Sequence, residues 1–537
     1  MRHGKNIRLR PRRVTPGHFS STATLVVLVI LVVQASACTL PTTRNESPAA
    51  AAGVSGGATL PTRASSPAGS VGSAAPGGRG LLPNSSPERV DAAVPQPTQP
   101  VPNANAGGAG SSAAGSGAPA IQPSSPREGE PWTSPAPRAV CRAGDATDQA
   151  LSGLSGDIRC NLELLGQVEA PHYLSMAWYG TCAYVNGTDG TTVIQVSPEG
   201  VPTVTKTLTE VGFRNNWESM KASPVTGLLV GYEANGPTLT VYDVKSDCSN
   251  PVLLSSRRLE GALGDSIGHA GNFSPDGTIY YASSMYTGEL TALDLADPKQ
   301  PKVISQDFER GAHDLFIGKD GTRGYFAYAD LLRDLGAGSF AVMDLSEVQA
   351  RKPGAKGKLI AELTWQDGNT SQYPVLVQYG GRDHLIITDE LGSGTCDDPV
   401  KPQWGYARIV DLSDETSPKL VSLIKTEAQD PKNCQAASEA QGGTDGFGVG
   451  THYCNVDRLV DPRILSCGEW DAGVRLFDIR NPARPVEVAY FDSGEGTVPG
   501  LQHIDIERRQ LWVAATPGTF YVLRFPAGSV VDQILAQ

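Results

Sequence analysis

Between residues 39 and 131 the chain has no aromatic residue, no methionine and no cysteine. A stretch built instead from Ala, Gly, Ser, Pro, Thr and Asn cannot bury enough apolar surface to offset the entropy of ordering it. No packed domain is expected there. Beyond the first seventeen residues there is also no dense cluster of Lys or Arg, and the formal net charge is −12. The basic footprint of a nucleic-acid binder is therefore missing, and no nucleic-acid partner is expected. The sequence contains no H-E-x-x-H, no C-x-x-C and no P-loop. Its glycine-rich Gly446-Phe447-Gly448-Val449-Gly450 leads into a strand-like stretch rather than a helix, so it reads as a loop and not as a dinucleotide fingerprint. Scattered Ser, His and Asp can be combined into a triad in any chain of this length, so no catalytic residue is assigned.

What is present at the N-terminus reads as a targeting segment. Arg2, Lys5, Arg8, Arg10, Arg12 and Arg13 form a basic region ahead of an apolar run over residues 23–33, too short to span a bilayer comfortably. The run ends in Ala35-Ser36-Ala37-Cys38, which fits an A-x-A cleavage site and resembles the lipobox of bacterial lipoproteins, whose Cys carries lipid. Nine cysteines leave one odd member in an oxidising compartment. Assigning Cys38 to lipid leaves Cys141, Cys160, Cys182, Cys248, Cys396, Cys434, Cys454 and Cys467, an even set. The expected organisation is a signal peptide over 1–37, a lipidated Cys38 opening a disordered Ala/Gly/Ser/Pro-rich linker over 38–137, and a folded domain over 138–537. The implied location is outside the cytoplasm, either held to a membrane through Cys38 or secreted. Treated as a flexible coil, such a tether spans about 50–60 Å.

The folded part announces itself by an internal repeat. Val241-Tyr242-Asp243-Val244, Ala292-Leu293-Asp294-Leu295, Val342-Met343-Asp344-Leu345, Ile409-Val410-Asp411-Leu412 and Leu476-Phe477-Asp478-Ile479 each lead through a turn into a second apolar strand. Degenerate copies carry Gln195 and Arg524 at the Asp position. The marks lie 48, 51, 50, 67, 67 and 46 residues apart, enough for four short strands per unit, with insertions in the two long intervals. Asp276-Gly277 and Asp320-Gly321 signal tight hairpins. Fold class is thus all-β: a seven-bladed propeller, preceded by the long disordered tether. The seventh unit lacks an outer strand, and Leu162 to Val168 looks like an outer strand lacking its blade, so the N-terminal strand is expected to close the ring.

These units resemble the LVIVD repeat, whose copies run as a His-led strand, a Tyr-rich strand, an I-D-V-S-D-P strand and a P-x-L-V-G strand. The resemblance covers about residues 160–525 and implies an exported bacterial propeller, without implying an activity.

Aligning the units places His172, Trp217, His269, His313, Tyr373, His452 and His503 at the starts of the innermost strands. Acids following the second strand, Glu233, Asp330, Asp389, Glu390, Glu469 and Asp471, should share their face. The channel-mouth candidates are His172, His269, His313, His452, His503, Glu469 and Asp471. Two readings stand side by side: each His fixes a strand start by hydrogen bonding to a neighbouring blade, or the imidazoles bind a ligand. Because imidazole suits zinc and copper, His172, His452 and His503, from three consecutive blades around the closure, form the candidate metal triad. The function expected first is a surface-displayed binding module for a protein, glycan or small ligand. The alternative is a metal-dependent (Cu or Zn) oxidoreductase of the selenium-binding-type propeller kind. Local spacing pairs Cys141 with Cys160 and Cys454 with Cys467; Cys182–Cys248 and Cys396–Cys434 follow by elimination.

Overall fold

The computed structural model describes residues 130–537 except 147–157, 172–174, 215, 235, 260–267, 286–287, 308–311, 329–336, 399–400, 441–447, 471, 495–499 and 517. Seven antiparallel sheets of four strands, one of them extended by a fifth, follow one another along the chain as propeller blades. Blades 1 to 6 span residues 176–208, 221–258, 270–307, 315–365, 369–424 and 451–492. Blade 7 takes three strands from 503–524 and its outer strand from Glu163–Glu169. That strand pairs antiparallel with Thr519–Arg524, from Glu163 opposite Arg524 to Glu169 opposite Thr519, so the expected closure is observed.

The recurring Asp has a local job. Asp243, Asp294, Asp344, Asp411 and Asp478 each accept, through Oδ1, the backbone N–H two residues on, at 2.8–3.1 Å. This Asx geometry turns the third strand into the outer one. Every outer strand then carries a register shift against the third strand, so the blade coils and its edge bends. Hydroxyls at these bends tie one blade to the next. Thr205, Ser255, Ser305 and Ser422 donate to the carbonyls of Ser249, Pro298, Ala355 and Pro482 at 2.6–2.8 Å. Gly277 and Gly321, both at positive φ, make the hairpin turns that the Asp-Gly pairs indicated.

All four disulfides are present as paired from the sequence. Cys182–Cys248 joins blades 1 and 2, Cys454–Cys467 crosses the first two strands of blade 6, and Cys396–Cys434 braces the two insertions. Such bonds form and persist in an oxidising compartment, in keeping with an exported protein.

Residues 130–137, read from sequence as the end of the linker, lie against the propeller. Trp132 is buried and exchanges backbone hydrogen bonds with Val421 and Leu423 of blade 5. Pro137 O accepts from Glu487 N of blade 6. Next along the chain, Ile158–Cys160 adds a fifth strand to blade 6. Trp132 was the first large apolar side chain after the tether, and its burial is the physical reason the boundary falls earlier. The leader, Cys38 and most of the linker lie outside the described residues. Among the described residues no helix is long and apolar enough to cross a membrane.

Candidate functional site

The ladder fixes which inner-strand positions correspond. In each of blades 2 to 7 the second-strand residue paired with the repeat mark is an origin; two residues further on, the partners on the innermost strand are Lys221, Asn272, Phe316, Val375, Asn455 and His503. Three residues before each stand Glu218, His269, His313, Gln372, His452 and Gly500. This corrects the sequence alignment at three places: Glu218 replaces Trp217, Gln372 replaces Tyr373, and Gly500 replaces His503. Polar side chains thus reach the axis from five consecutive blades.

They meet. One carboxylate oxygen of Glu218 lies 3.0 Å from His269 Nε2 and 3.7 Å from His313 Nδ1, and the other lies 3.1 Å from His452 Nε2. Glu390, at the end of a second strand, sits 3.3 Å from both His313 Nε2 and His452 Nε2. Gln372 Nε2 donates to Glu218 Oε2 at 2.8 Å. Glu218 and the three histidine side chains are at most 5% exposed, while Glu390 keeps 12% and is the most open member.

Local structure explains the convergence. Glu218 follows Trp217, whose φ of 48° is a left-handed turn that is costly for a bulky residue. The turn holds because Trp217 O accepts from Asn186 Nδ2, Glu218 N donates to His269 O, and Gly212 packs its backbone directly on Gly231. The backbone O of His452 accepts from Thr388 Oγ1 at 2.7 Å. Trp217 meets the His269 ring edge-on at 4.8 Å, and Trp470 lies at 4.4 Å from the His452 ring, so two indoles wall the cluster.

The electrostatics are those of a coupled ring. Burial opposes ionisation of Glu218, yet the charge and hydrogen bonds of His269 and His452 outweigh it and hold the carboxyl well below its ordinary value. Burial likewise works against Glu390, but His313 and His452 together bring it to about 2. Burial would depress His452, and the two carboxylates instead raise it to about 9. His269 is lowered, by burial first and then by the charge of His313. Beneath this layer Tyr453 OH donates to Asp314 Oδ2 at 2.8 Å, and Lys221 Nζ lies 3.4 Å from the same oxygen. The Lys221 Nζ also sits 5.5 and 5.6 Å from the ring centres of Tyr373 and Tyr453.

The other sequence candidates go elsewhere. His172 and Asp471 lie outside the described residues, as does Asp330. His503 stacks on Trp178 at 4.6 Å and meets Trp512 edge-on at 4.8 Å, packed between blades 7 and 1. Of the triad His172, His452 and His503, only His452 is seen at the axial cluster. Glu469 is buried and accepts from Gln429 Nε2 and Thr451 Oγ1 at 2.8 and 2.9 Å; burial raises its carboxyl to about 7. Asp389 forms a buried pair with Arg408 and accepts from Trp365 Nε1. Glu218 and Gln372 are the members that the sequence reading missed. Their signal was a polar residue one position away from each aromatic that had been placed in the column. The pentapeptide Gly264-Asp265-Ser266-Ile267-Gly268 has G-x-S-x-G spacing, but it leads into the strand Ala270–Phe273 and not into the helix of a nucleophile elbow.

No family model matches the chain, and no curated protein matches it. Among solved structures, Kuenenia stuttgartiensis hydrazine synthase aligns with 64% of this chain and 93% of its own, at 12% identity and a TM-score of 0.46. That likeness is too distant to say anything of the chemistry here.

Proposed function

We propose that the chain is an exported, surface-displayed propeller that acts as a binding module and takes a small ligand at the polar end of its axial channel. The observation that carries this reading is the convergence of Glu218, His269, His313, Gln372, His452 and Glu390 on one point of the axis. Groups so buried are out of reach of a protein or glycan surface, which favours a small ligand, and Glu390 is the member most open to solvent. The four disulfides suit life outside the cytoplasm, and lipid on Cys38 with the tether behind it would hold the domain clear of a membrane.

Native mass spectrometry of the full chain, isolated from its export compartment, tests the reading. The wild type is expected to carry a small adduct that the double variant Glu218→Gln, His452→Gln loses while keeping its β circular dichroism. A wild type without any adduct, or an adduct equally present in the variant, would refute it.

A further inference from the structure

Resting on that small-ligand reading, we infer that the ligand is a single divalent transition-metal ion of the zinc or copper class, held by Glu218, His269, His313 and His452 with Glu390 as a further donor. Donor atoms of Glu218, His269 and His313 all lie within 4.8 Å of one another, and His452 Nε2 closes on the same carboxylate at 3.1 Å. Imidazole nitrogen and carboxylate oxygen are the donors that zinc and copper take at about 2.0–2.2 Å, so a modest contraction of the ring would complete a coordination shell.

Hydrogen-bond counting points the same way. A neutral imidazole has one N–H, which serves one acceptor well. His452 Nε2 faces oxygens of two different carboxylates, at 3.1 and 3.3 Å. His313 presents both ring nitrogens to carboxylates, Nδ1 at 3.7 Å and Nε2 at 3.3 Å, although a neutral ring donates from only one. With both rings neutral, one nitrogen of His313 sets its lone pair against a carboxylate oxygen, a clash that an extra proton or a cation relieves. A cation at the centre turns every such lone pair into a ligand. Formal charge is compatible: ligation takes imidazole in its neutral form, so in a metal-bound ring the two carboxylates sum to −2, which a divalent ion cancels.

The surroundings are those of a supported site. Gln372 orients the Glu218 carboxylate from outside the ring, and the indoles of Trp217 and Trp470 wall two of the imidazoles. His452 lies on the inner strand Thr451–Val456 and Glu390 on the second strand Arg382–Leu391. Glu218, His269 and His313 stand one to three residues before the inner strands of three other blades, so closure of the propeller brings the donors together.

The test uses the full chain purified without chelator, assayed for metal by plasma mass spectrometry, then stripped with EDTA and titrated separately with zinc chloride and copper(II) chloride. One equivalent per chain is expected. At about a hundredfold excess over Kd the melting temperature should rise by about 3–5 °C. Copper should also quench the emission of Trp217 and Trp470. Glu218→Gln and His313→Gln should weaken binding at least tenfold, and His503→Phe should leave it unchanged. If either centre variant fails to fold, Glu390→Gln, which alters the most open donor, supplies the same comparison. Absence of bound metal together with no thermal shift from either ion overturns the inference, as does unchanged affinity in the folded variants. An organic adduct sensitive to Glu218→Gln, with no metal, overturns the ion assignment and leaves the binding-module reading standing. No adduct of any kind overturns both.

Discussion

His503 offers a sharp test of how this ring is packed at its seam. Its imidazole is sandwiched between Trp178 of blade 1 and Trp512 of blade 7, and burial lowers its pKa from 6.5 to about 4, against a smaller upward pull from Asp505. Between those two values the unfolded chain binds the proton and the folded chain does not. Stability therefore falls as pH drops from 6.5 towards 4, and the contribution is fully present only above 6.5. At pH 5 the loss relative to pH 7.5 works out at about 2 kcal/mol, the edge of the ring that reaches solvent making this an upper figure. The assay is urea unfolding at pH 7.5 and pH 5, on the wild type and on His503→Phe, which keeps an aromatic ring between the two indoles. Other titrating groups cancel in the double difference. The variant should lose about 2 kcal/mol less on acidification than the wild type. An identical pH dependence in the two proteins would show that His503 is not buried neutral at the seam.

Glu469 should behave with the opposite sign: its carboxyl is raised from 4.5 to about 7, so stability falls as pH rises through that window, and Glu469→Gln should remove up to about 3 kcal/mol of the fall in unfolding titrations at pH 4.5 and 8. Loss of Cys182–Cys248, which spans 66 residues, should cost about 4 kcal/mol, against about 3 for the 13-residue Cys454–Cys467; equal or inverted costs by denaturant unfolding would argue against a chain-entropy origin. A Cβ added at Gly231 would fall on the backbone carbonyl of Gly212, so Gly231→Ala should shift the turn that delivers Glu218, lowering stability by about 1–3 kcal/mol and weakening ligand binding together. If binding survives that shift intact, Glu218 is not a contact. Truncation through Glu169 should lower the unfolding midpoint well below that of a chain beginning at Leu162, because only the first opens the ring and leaves sheet edges unpaired.

Blade number, closure and disulfide pairing were legible because their determinants are local or countable. The repeat Asp makes an Asx turn with its own neighbours, a hairpin brings Cys454 opposite Cys467, and an orphan outer strand at one end matches a missing one at the other. The axial cluster was less legible. Inner strands are short, that of blade 2 being Lys221–Ala222, and the register shifts between Ser371 and Pro374 and between Thr451 and Cys454 break the alternation that would locate a residue. Aligning by residue type therefore chose Trp217 and Tyr373, where the pairing chooses Glu218 and Gln372. His503 was placed with the other histidines for the same reason, although its ladder position is that of Asn272 and Asn455, whose amides reach across to the next blade.

The route of the N-terminal segment decides how the domain carries load. From residue 130 the chain bonds to the outer edge of blade 5 at Trp132 and to blade 6 at Pro137, adds the strand Ile158–Cys160 to blade 6, and completes blade 7 before it enters blade 1. A pull arriving from the N-terminal side is thus spread over three consecutive blades instead of falling on the closing strand. The Cys141–Cys160 bond short-circuits the intervening chain, so tension passes through sulfur rather than through the residues between. The closing strand is sheltered behind that clamp, and stretching the linker need not loosen the ring that gathers the axial histidines.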